Sequence, residues 1–380
     1  MNKIIIKEVR SKKELSDFIK YPLRLYRDNP YYVPPIIEGE KSTWNRKKNP
    51  AFYYSDFRLF LALRDQKIVG RVAAILNRKE AEELGVKKVR FGWFDFIDDL
   101  EVSKALIESV ITYAGENAID RIEGPMGITN LDKAGMLTLG FDQLATMVGL
   151  YNFPYYVEHM ERMGFEEEKK WVEYKIKFPE KLPEKVLKFN DVILKKYGLN
   201  LIKFRRKKDI LSYVSPIFKL LDVTYRELST YTPITKEQIH AYKKKYFGFV
   251  DKEYIVCIEN KVQELVAFAI TMPSYSRALQ KSGGKIFPFG WLHFLRARKI
   301  NDTANFYLIG VHPDYQKKGI TSIIFKEIYK VFKKKGIKFL ETNPELEENK
   351  EIQLLWQQYD ATLHKKRATY SLDIKKEKMA

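Results

Sequence analysis

Cysteine is almost missing from this 380-residue chain, which holds only Cys257. No intramolecular disulfide can form, and a Cys-based zinc cluster is excluded. Histidine is sparse too: the five are scattered without a metal-ligand spacing, so no metal is expected in the chemistry. Nowhere do about 18 apolar residues follow one another, as a membrane-spanning helix requires. Residues 1–13 alternate apolar and charged side chains and contain no apolar core of signal-peptide length. These absences lead to the expectation of a cytoplasmic protein.

Aromatics and charge are plentiful. Hydrophobic residues make up 45% and aromatics 14%, with 24 Tyr and 24 Phe, a load no disordered chain carries. The length suits two domains better than one core. The net charge of +19 is uneven: residues 1–178 hold 29 basic and 27 acidic side chains, so nearly all the excess lies beyond them. Such a field favours an anionic partner, among which coenzyme A, an anionic lipid surface and nucleic acid all qualify; lysine that merely decorates a surface is the plainer reading. No helix-turn-helix, zinc or ribonucleoprotein motif accompanies the charge, so nucleic acid is not the expected partner.

The order of elements repeats. In the first half, residues 4–9 read as a strand. A helix follows, with Ser11 and Glu14 placed as a capping box. Residues 57–64 and 68–77 are strands about a turn at 65–67, and 91–97 is a third strand. A helix over 102–118, a short strand from Ile122 to the Gly124-Pro125 turn, a helix over 155–163 stopped by Gly164 and a strand over 171–178 complete it. Residues 179–183 read as a junction. The second half has a strand at 199–204, a helix at 209–228 that Pro216 kinks, and a hairpin of 254–259 and 264–272. It continues with a strand at 304–311, a helix at 322–335, a strand at 338–341, a helix at 348–359 and a strand at 368–374. Alternating elements of this kind predict an α/β protein with a mixed sheet and two domains, 1–178 and 184–380.

Residues 307–322 carry the most chemistry: Tyr-Leu-Ile-Gly-Val-His-Pro-Asp-Tyr-Gln-Lys-Lys-Gly-Ile-Thr-Ser. A buried strand, a loop and a helix N-terminus present unbonded amides and the positive end of the helix dipole to an anion. Gly319 lets the backbone approach a phosphate, Lys317 and Lys318 add charge, and Thr321 or Ser322 can cap the helix or bond a phosphate oxygen.

The stretch resembles motif A of the GNAT acyltransferase superfamily, with Val311, Pro313, Tyr315, Gln316 and Gly319 at the matching places. The resemblance implies two tandem GNAT-like folds and an acyl-coenzyme A co-substrate, acetyl-coenzyme A first among them. Its diphosphate would lie on the amides from Gln316 through Lys317, Lys318, Gly319, Ile320 and Thr321 to Ser322. Its pantetheine arm would lie along Ile309, Gly310 and Val311. Thr321 stands where the family has Gly or Ala. Residues 348–361 resemble motif B: Asn349 matches its Asn, Leu355 its Leu, and Trp356 falls where many members carry an acidic Tyr. An indole cannot protonate a thiolate, which turns attention to Tyr359 one turn on. Glu341, at the end of the strand after motif A, is the candidate base, and Asn343 the group to orient a water or an amide.

The first half echoes the motifs at 64–75 and 155–165, but its counterpart of motif A contains Asp98, Asp99 and Glu101, which repel a diphosphate. It is expected to hold no coenzyme A and to support the other half or its acceptor pocket, as in N-myristoyltransferases and Fem peptidyltransferases. Residues 49–53, 91–96, 140–142 and 341–345 further resemble a bacterial family of tandem-domain GNAT-like proteins.

The activity implied is transfer of an acyl group from coenzyme A to an amine on a small molecule or peptide. A non-catalytic binder of coenzyme A or peptide, and a lipid-related aminoacyl or acyl transferase at a membrane surface, are the alternatives. Residues 274–299 read as an insertion, an apolar aromatic run followed by Arg296, Arg298 and Lys299. It suits an acyl-chain pocket, contact with an anionic membrane surface, or a lid packed on its own aromatics.

Overall fold

The computed structural model describes residues 3–129, 131–182, 184–226, 234–246, 250–356 and 359–374. Pro183 of the expected junction, the expected helix end at Leu228 and residues 357–358 of the last expected helix lie outside them. The first half comprises β1 (Ile5–Glu8), α1 (Lys12–Leu25), α2 (Ile37–Thr43), β2 (Ser55–Arg64), β3 (Lys67–Asn77), α3 (Arg78–Leu84), β4 (Val89–Phe96), α4 (Leu100–Glu116), β5 (Arg121–Gly124), β6 (Met136–Leu139), α5 (Tyr155–Arg162) and β7 (Glu166–Lys177). The second comprises α6 (Glu184–Tyr197), β8 (Asn200–Ile202), α7 (Val214–Tyr225), α8 (Lys236–Tyr246), β9 (Ile255–Glu259), β10 (Leu265–Pro273), α9 (Ser276–Ser282), α10 (Gly290–Lys299), β11 (Thr303–Val311), α11 (Ile320–Lys335), β12 (Phe339–Thr342), β13 (Glu345–Leu346), α12 (Lys350–Trp356) and β14 (Asp360–Asp373).

Local chemistry sets several boundaries. The Ser11 hydroxyl accepts the Glu14 amide while the Glu14 carboxylate accepts the Ser11 amide, so α1 begins with the expected capping box. Residues 209–226 do not form one kinked helix. A 3-10 turn over Lys207–Ser212 precedes α7, and Pro216 falls in the first turn of α7, where a missing N–H breaks no helical bond.

The strands of the described residues form one 14-stranded mixed sheet in the order β1-β2-β3-β4-β5-β14-β7-β12-β11-β10-β9-β8, with β6 and β13 attached to β14 and β7. Both closing strands are exchanged. β7, from the first half, pairs with β12 of the second, and β14, the last strand, pairs with β5 of the first. β14 and β7 run antiparallel along each other at the seam. The expected strand at 368–374 is therefore only the end of a 14-residue one. Its beginning, Asp-Ala-Thr-Leu-His-Lys-Lys-Arg, lies outside the elements expected from the sequence. Its charged end is buried: Lys365, Arg367 and Glu173 of β7 are all at most 1% exposed, and Arg367 donates to Glu173. Removing one partner of such a pair leaves an unpaired buried charge, which costs about 3–5 kcal/mol. Glu173→Gln is expected to lower the urea midpoint by a corresponding amount; an unchanged midpoint would mean the seam does not depend on the pair.

Helices cover both faces. Phe91, Val102, Leu106 and Met160 join α4 and α5 to one face of the first-half sheet, and Phe18 and Ile19 bring α1 to the other. Ile320, Ile324 and Ile328 seat α11 on the second-half sheet. On the opposite face, Ile217 and Leu221 of α7 share a cluster with Tyr26, Leu137 and Tyr151 of the first half. Strand exchange and this shared cluster hold the halves together and shape the space between them.

Candidate active site

β11 and β12 are parallel, but they pair only from Thr303–Phe339 to Phe306–Thr342. β12 then ends. Asn343 bridges the divergence, its amide donating to the Phe306 carbonyl at 3.1 Å and its Nδ2 to the Tyr307 carbonyl at 2.9 Å. Beyond that point, Leu308 to Val311 remain paired with β10 on one side and border a cavity on the other. Gln316 folds back, its Nε2 donating to the Val311 carbonyl at 3.2 Å. The turn needs left-handed backbone at Lys317 (φ 58°) and Gly319 (φ 79°). Gly319 caps α11 without any side-chain bond, so the amides of Gly319, Ile320 and Thr321 have no acceptor outside the helix among the described residues.

Most residues singled out for the donor site meet at this place. Ile309, Gly310, Val311, Gln316, Lys317, Ile320, Thr321 and Asn349 all line the cavity. Three others turn elsewhere. The Ser322 hydroxyl donates to Asn190 of α6 at 2.7 Å, which leaves Thr321 as the hydroxyl facing the cavity. The Lys318 ammonium sits 5.3 Å from the rings of both Tyr197 and Tyr315. Gly319 packs under α6, where an added Cβ would stand 2.7 Å from Ile193.

The residues expected to act on protons separate. Asn343 lines the cavity, and its buried Oδ1 has no hydrogen-bond partner. Glu341 points into the seam, accepts from Asn305 at 3.4 Å and does not border the cavity; burial raises its pKa. Tyr359 packs its ring on Phe325, 5.5 Å away, and likewise lies off the cavity.

Two groups that sequence reasoning missed stand at the parted strands. Pro344 carries the chain from β12 into β13, and Glu345, first residue of β13, lines the cavity. Trp356, buried in α12, donates its indole N–H to Glu345 at 3.0 and 2.9 Å, one distance to each oxygen. Burial pushes the Glu345 carboxyl up to about 8, against the opposing effect of the indole. The tryptophan at the motif B tyrosine position therefore holds a carboxyl group. On the facing side, Tyr225 of α7 donates its hydroxyl to the Ile309 carbonyl at 3.3 Å. Burial, with a smaller contribution from the Glu345 charge, pushes Tyr225 up to about 12 and keeps it a proton donor. A carboxylate directly after a strand that leaves a parallel pair was the available signal for Glu345. Tyr225 lies on an amphipathic helix and offered none.

The corresponding parting in the first half is bridged by backbone. β4 and β5 also part, after Arg90–Glu123, but Met126 follows β4 and donates to the Phe91 carbonyl at 2.8 Å. A Cβ on Gly92 would lie 2.3 Å from the Met126 oxygen. The N-terminus of α4 is capped by Asp99, whose carboxylate accepts the Glu101 amide and pairs with Arg64 at 2.7 Å. One helix end is thus open to an anion and the other already carries one.

The cavity has a volume of about 1850 Å³. Ordinary ligand pockets span roughly 300–1,000 Å³. It continues from Thr321 and Glu345 into the first half, past Met136, Tyr156 and Trp93 to Tyr32 and Pro35.

No family model matches the chain. It is 25% identical over 379 residues to Protein YghO of Escherichia coli, an alignment covering 97% of this chain and 95% of that protein. It is 24% identical over 315 residues to the bacterial ceramide synthase of Caulobacter vibrioides, with 81% and 80% covered. Among solved structures, a tandem GNAT protein from the clavulanic acid biosynthesis pathway superposes with a TM-score of 0.59 at 10% identity, covering 98% of this chain and 99% of that one. A GCN5-related N-acetyltransferase from Sphaerobacter thermophilus gives 0.52 at 8% identity, with 98% and 96% covered. By its order of elements, its parted parallel strands and these superpositions, the chain is a protein of the tandem GNAT fold.

Proposed function

We propose that the protein is an acyl-coenzyme A-dependent N-acyltransferase, with the donor in the second half and a long-chain amine as acceptor. The reading rests on the N-terminus of α11. Ile320 and Thr321, whose amides lack acceptors outside the helix among the described residues, border with Lys317 a cavity between parted strands, whereas Asp99 occupies the matching helix end of the first half. The amides of Gly319, Ile320 and Thr321 would take the diphosphate, and the stretch of β11 that has parted from β12 the pantetheine arm. The acceptor amine would attack the thioester carbon. Glu345 takes the ammonium proton, the C–S bond breaks as the amide forms, and Tyr225 gives its proton to the departing thiolate. Asn343 is placed to hold the acceptor or a water. The cytoplasm, where acyl-coenzyme A is made, is the compartment this reading implies.

The size of the cavity and the likeness to a ceramide synthase, by its name an enzyme that makes an N-acylated long-chain amine, favour a lipid-like acceptor over a small or peptide amine. The test is thiol release from acetyl- and palmitoyl-coenzyme A with sphinganine, spermidine and a lysyl peptide. The proposal expects turnover with sphinganine. Binding of coenzyme A without thiol release with any amine would make the protein a binder and overturn it. Tyr225→Phe is expected to lower kcat about 100-fold, with little change in coenzyme A affinity; an unchanged kcat would remove Tyr225 from the mechanism.

A further inference from the structure

The α9–α10 hairpin buries Ala278, Leu279 and Phe294 but presents six other apolar side chains outward. Phe287 and Phe289 are each 72% exposed and Ile300 71%, and Trp291, Leu292 and Leu295 on one side of α10 are exposed as well. Phe294 alone on this helix is buried, against Tyr275, and anchors the hairpin. The reading of this insertion as a lid packed on its own aromatics therefore fits Phe294 and none of the six exposed side chains. Exposed apolar clusters of this kind mark a surface that another phase or molecule covers.

Charge identifies what covers it. No acidic residue stands between Glu264 and Asp302, while Arg277, Lys281, Lys285, Arg296, Arg298 and Lys299 all do. Arg298 is paired with Asp251; the other five are exposed. Aromatic side chains set among cations, in a segment that itself carries no acid, match the boundary between acyl chains and anionic headgroups. The patch also adjoins the cavity. Ile286, the residue before Phe287, lines it together with Pro35 and Ile36, and the Ile37 amide donates to the Gly284 carbonyl at 2.9 Å.

We infer that the hairpin docks the protein on an anionic phospholipid bilayer, with the cavity rim at Ile286 against the membrane. Together with the acyltransferase reading, on which this consequence alone rests, docking lets a long-chain substrate pass between bilayer and cavity without crossing water.

The test is sedimentation of the full chain with phosphatidylcholine vesicles, with and without phosphatidylglycerol. The wild type is expected to bind the anionic vesicles. The triple variant Phe287→Ser, Phe289→Ser, Trp291→Ser and the double variant Lys281→Glu, Lys285→Glu should each bind about tenfold more weakly or less. All these positions are exposed, so thermal melts should match wild type. Gly319→Glu, which removes the proposed donor site, should bind vesicles like wild type, so loss of the enzymatic reading leaves this result standing. Equal pelleting of wild type and both surface variants overturns the proposal. So does failure of wild type to pellet, including the case in which light scattering shows a dimer that the triple variant dissolves.

Discussion

Gly319→Glu is expected to weaken coenzyme A binding, measured by calorimetry, by on the order of 100-fold or more. The substitution acts in three ways. It sets a carboxylate beside the helix end proposed to hold the diphosphate. It forces a side chain onto left-handed backbone at φ 79°. It also drives that side chain toward Ile193, which an added Cβ would approach to 2.7 Å. The last two disturb the turn whatever the ligand, so Lys317→Glu provides the cleaner companion. Lys317 is exposed, borders the cavity and already adopts φ 58°, so the substitution reverses a charge beside the helix end without the steric clash that Gly319→Glu adds. About tenfold weaker binding is expected from it. Asp99→Ala, at the matching helix end of the first half, should leave coenzyme A affinity unchanged. Equal affinities across Gly319→Glu, Lys317→Glu and wild type would place the donor elsewhere.

Glu345→Gln is expected to lower kcat by about 10² to 10³, the range for losing a proton acceptor. Its pH dependence discriminates more sharply. With the carboxyl held near 8, wild-type kcat/KM should rise with pH and reach half its limit about there, and the variant should lose that limb. Trp356→Phe removes an N–H that favours the ionised carboxylate, so it should move the limb to higher pH. Stability gives an independent reading. Folded Glu345 keeps its proton up to about pH 8, whereas the unfolded chain releases it near the ordinary glutamate value of 4.5. Between these values the folded state holds the extra proton, and the contribution of this group to stability falls as pH rises. Glu345→Gln should therefore melt above wild type at pH 9 and show no such gain at pH 5. Coincident melting curves at pH 9 would show that the carboxylate is not buried as described.

What was legible in the sequence was local. The run from Tyr307 to Ser322 encodes a strand, a tight turn and an amphipathic helix within one short segment, and its cavity-lining residues follow from that segment alone. The capping box at Ser11 and Glu14 was visible for the same reason. Features made by distant segments were not. Exchange of β7 and β14 depends on pairing across the whole chain, and the buried charges Lys365 and Arg367 of β14 have their partner, Glu173, nearly 200 residues earlier in the chain. Glu341 looked like a base because it ends the strand after motif A. The register of β12 turns it into the seam, and the turn through Pro344 brings Glu345 to the cavity in its place. Trp356 looked like a lost acid, yet its N–H has a defined task at Glu345. The proposed acid, Tyr225, comes from α7, which reaches the parted strands only once the sheet is assembled.

The most direct measurement is a crystal structure with coenzyme A bound. The diphosphate is expected on the amides of Gly319, Ile320 and Thr321, the pantetheine arm along Ile309 to Val311, and the sulfur near Glu345 and Tyr225. Density for the ligand at the N-terminus of α4, or a diphosphate elsewhere with the α11 turn left empty, would contradict it.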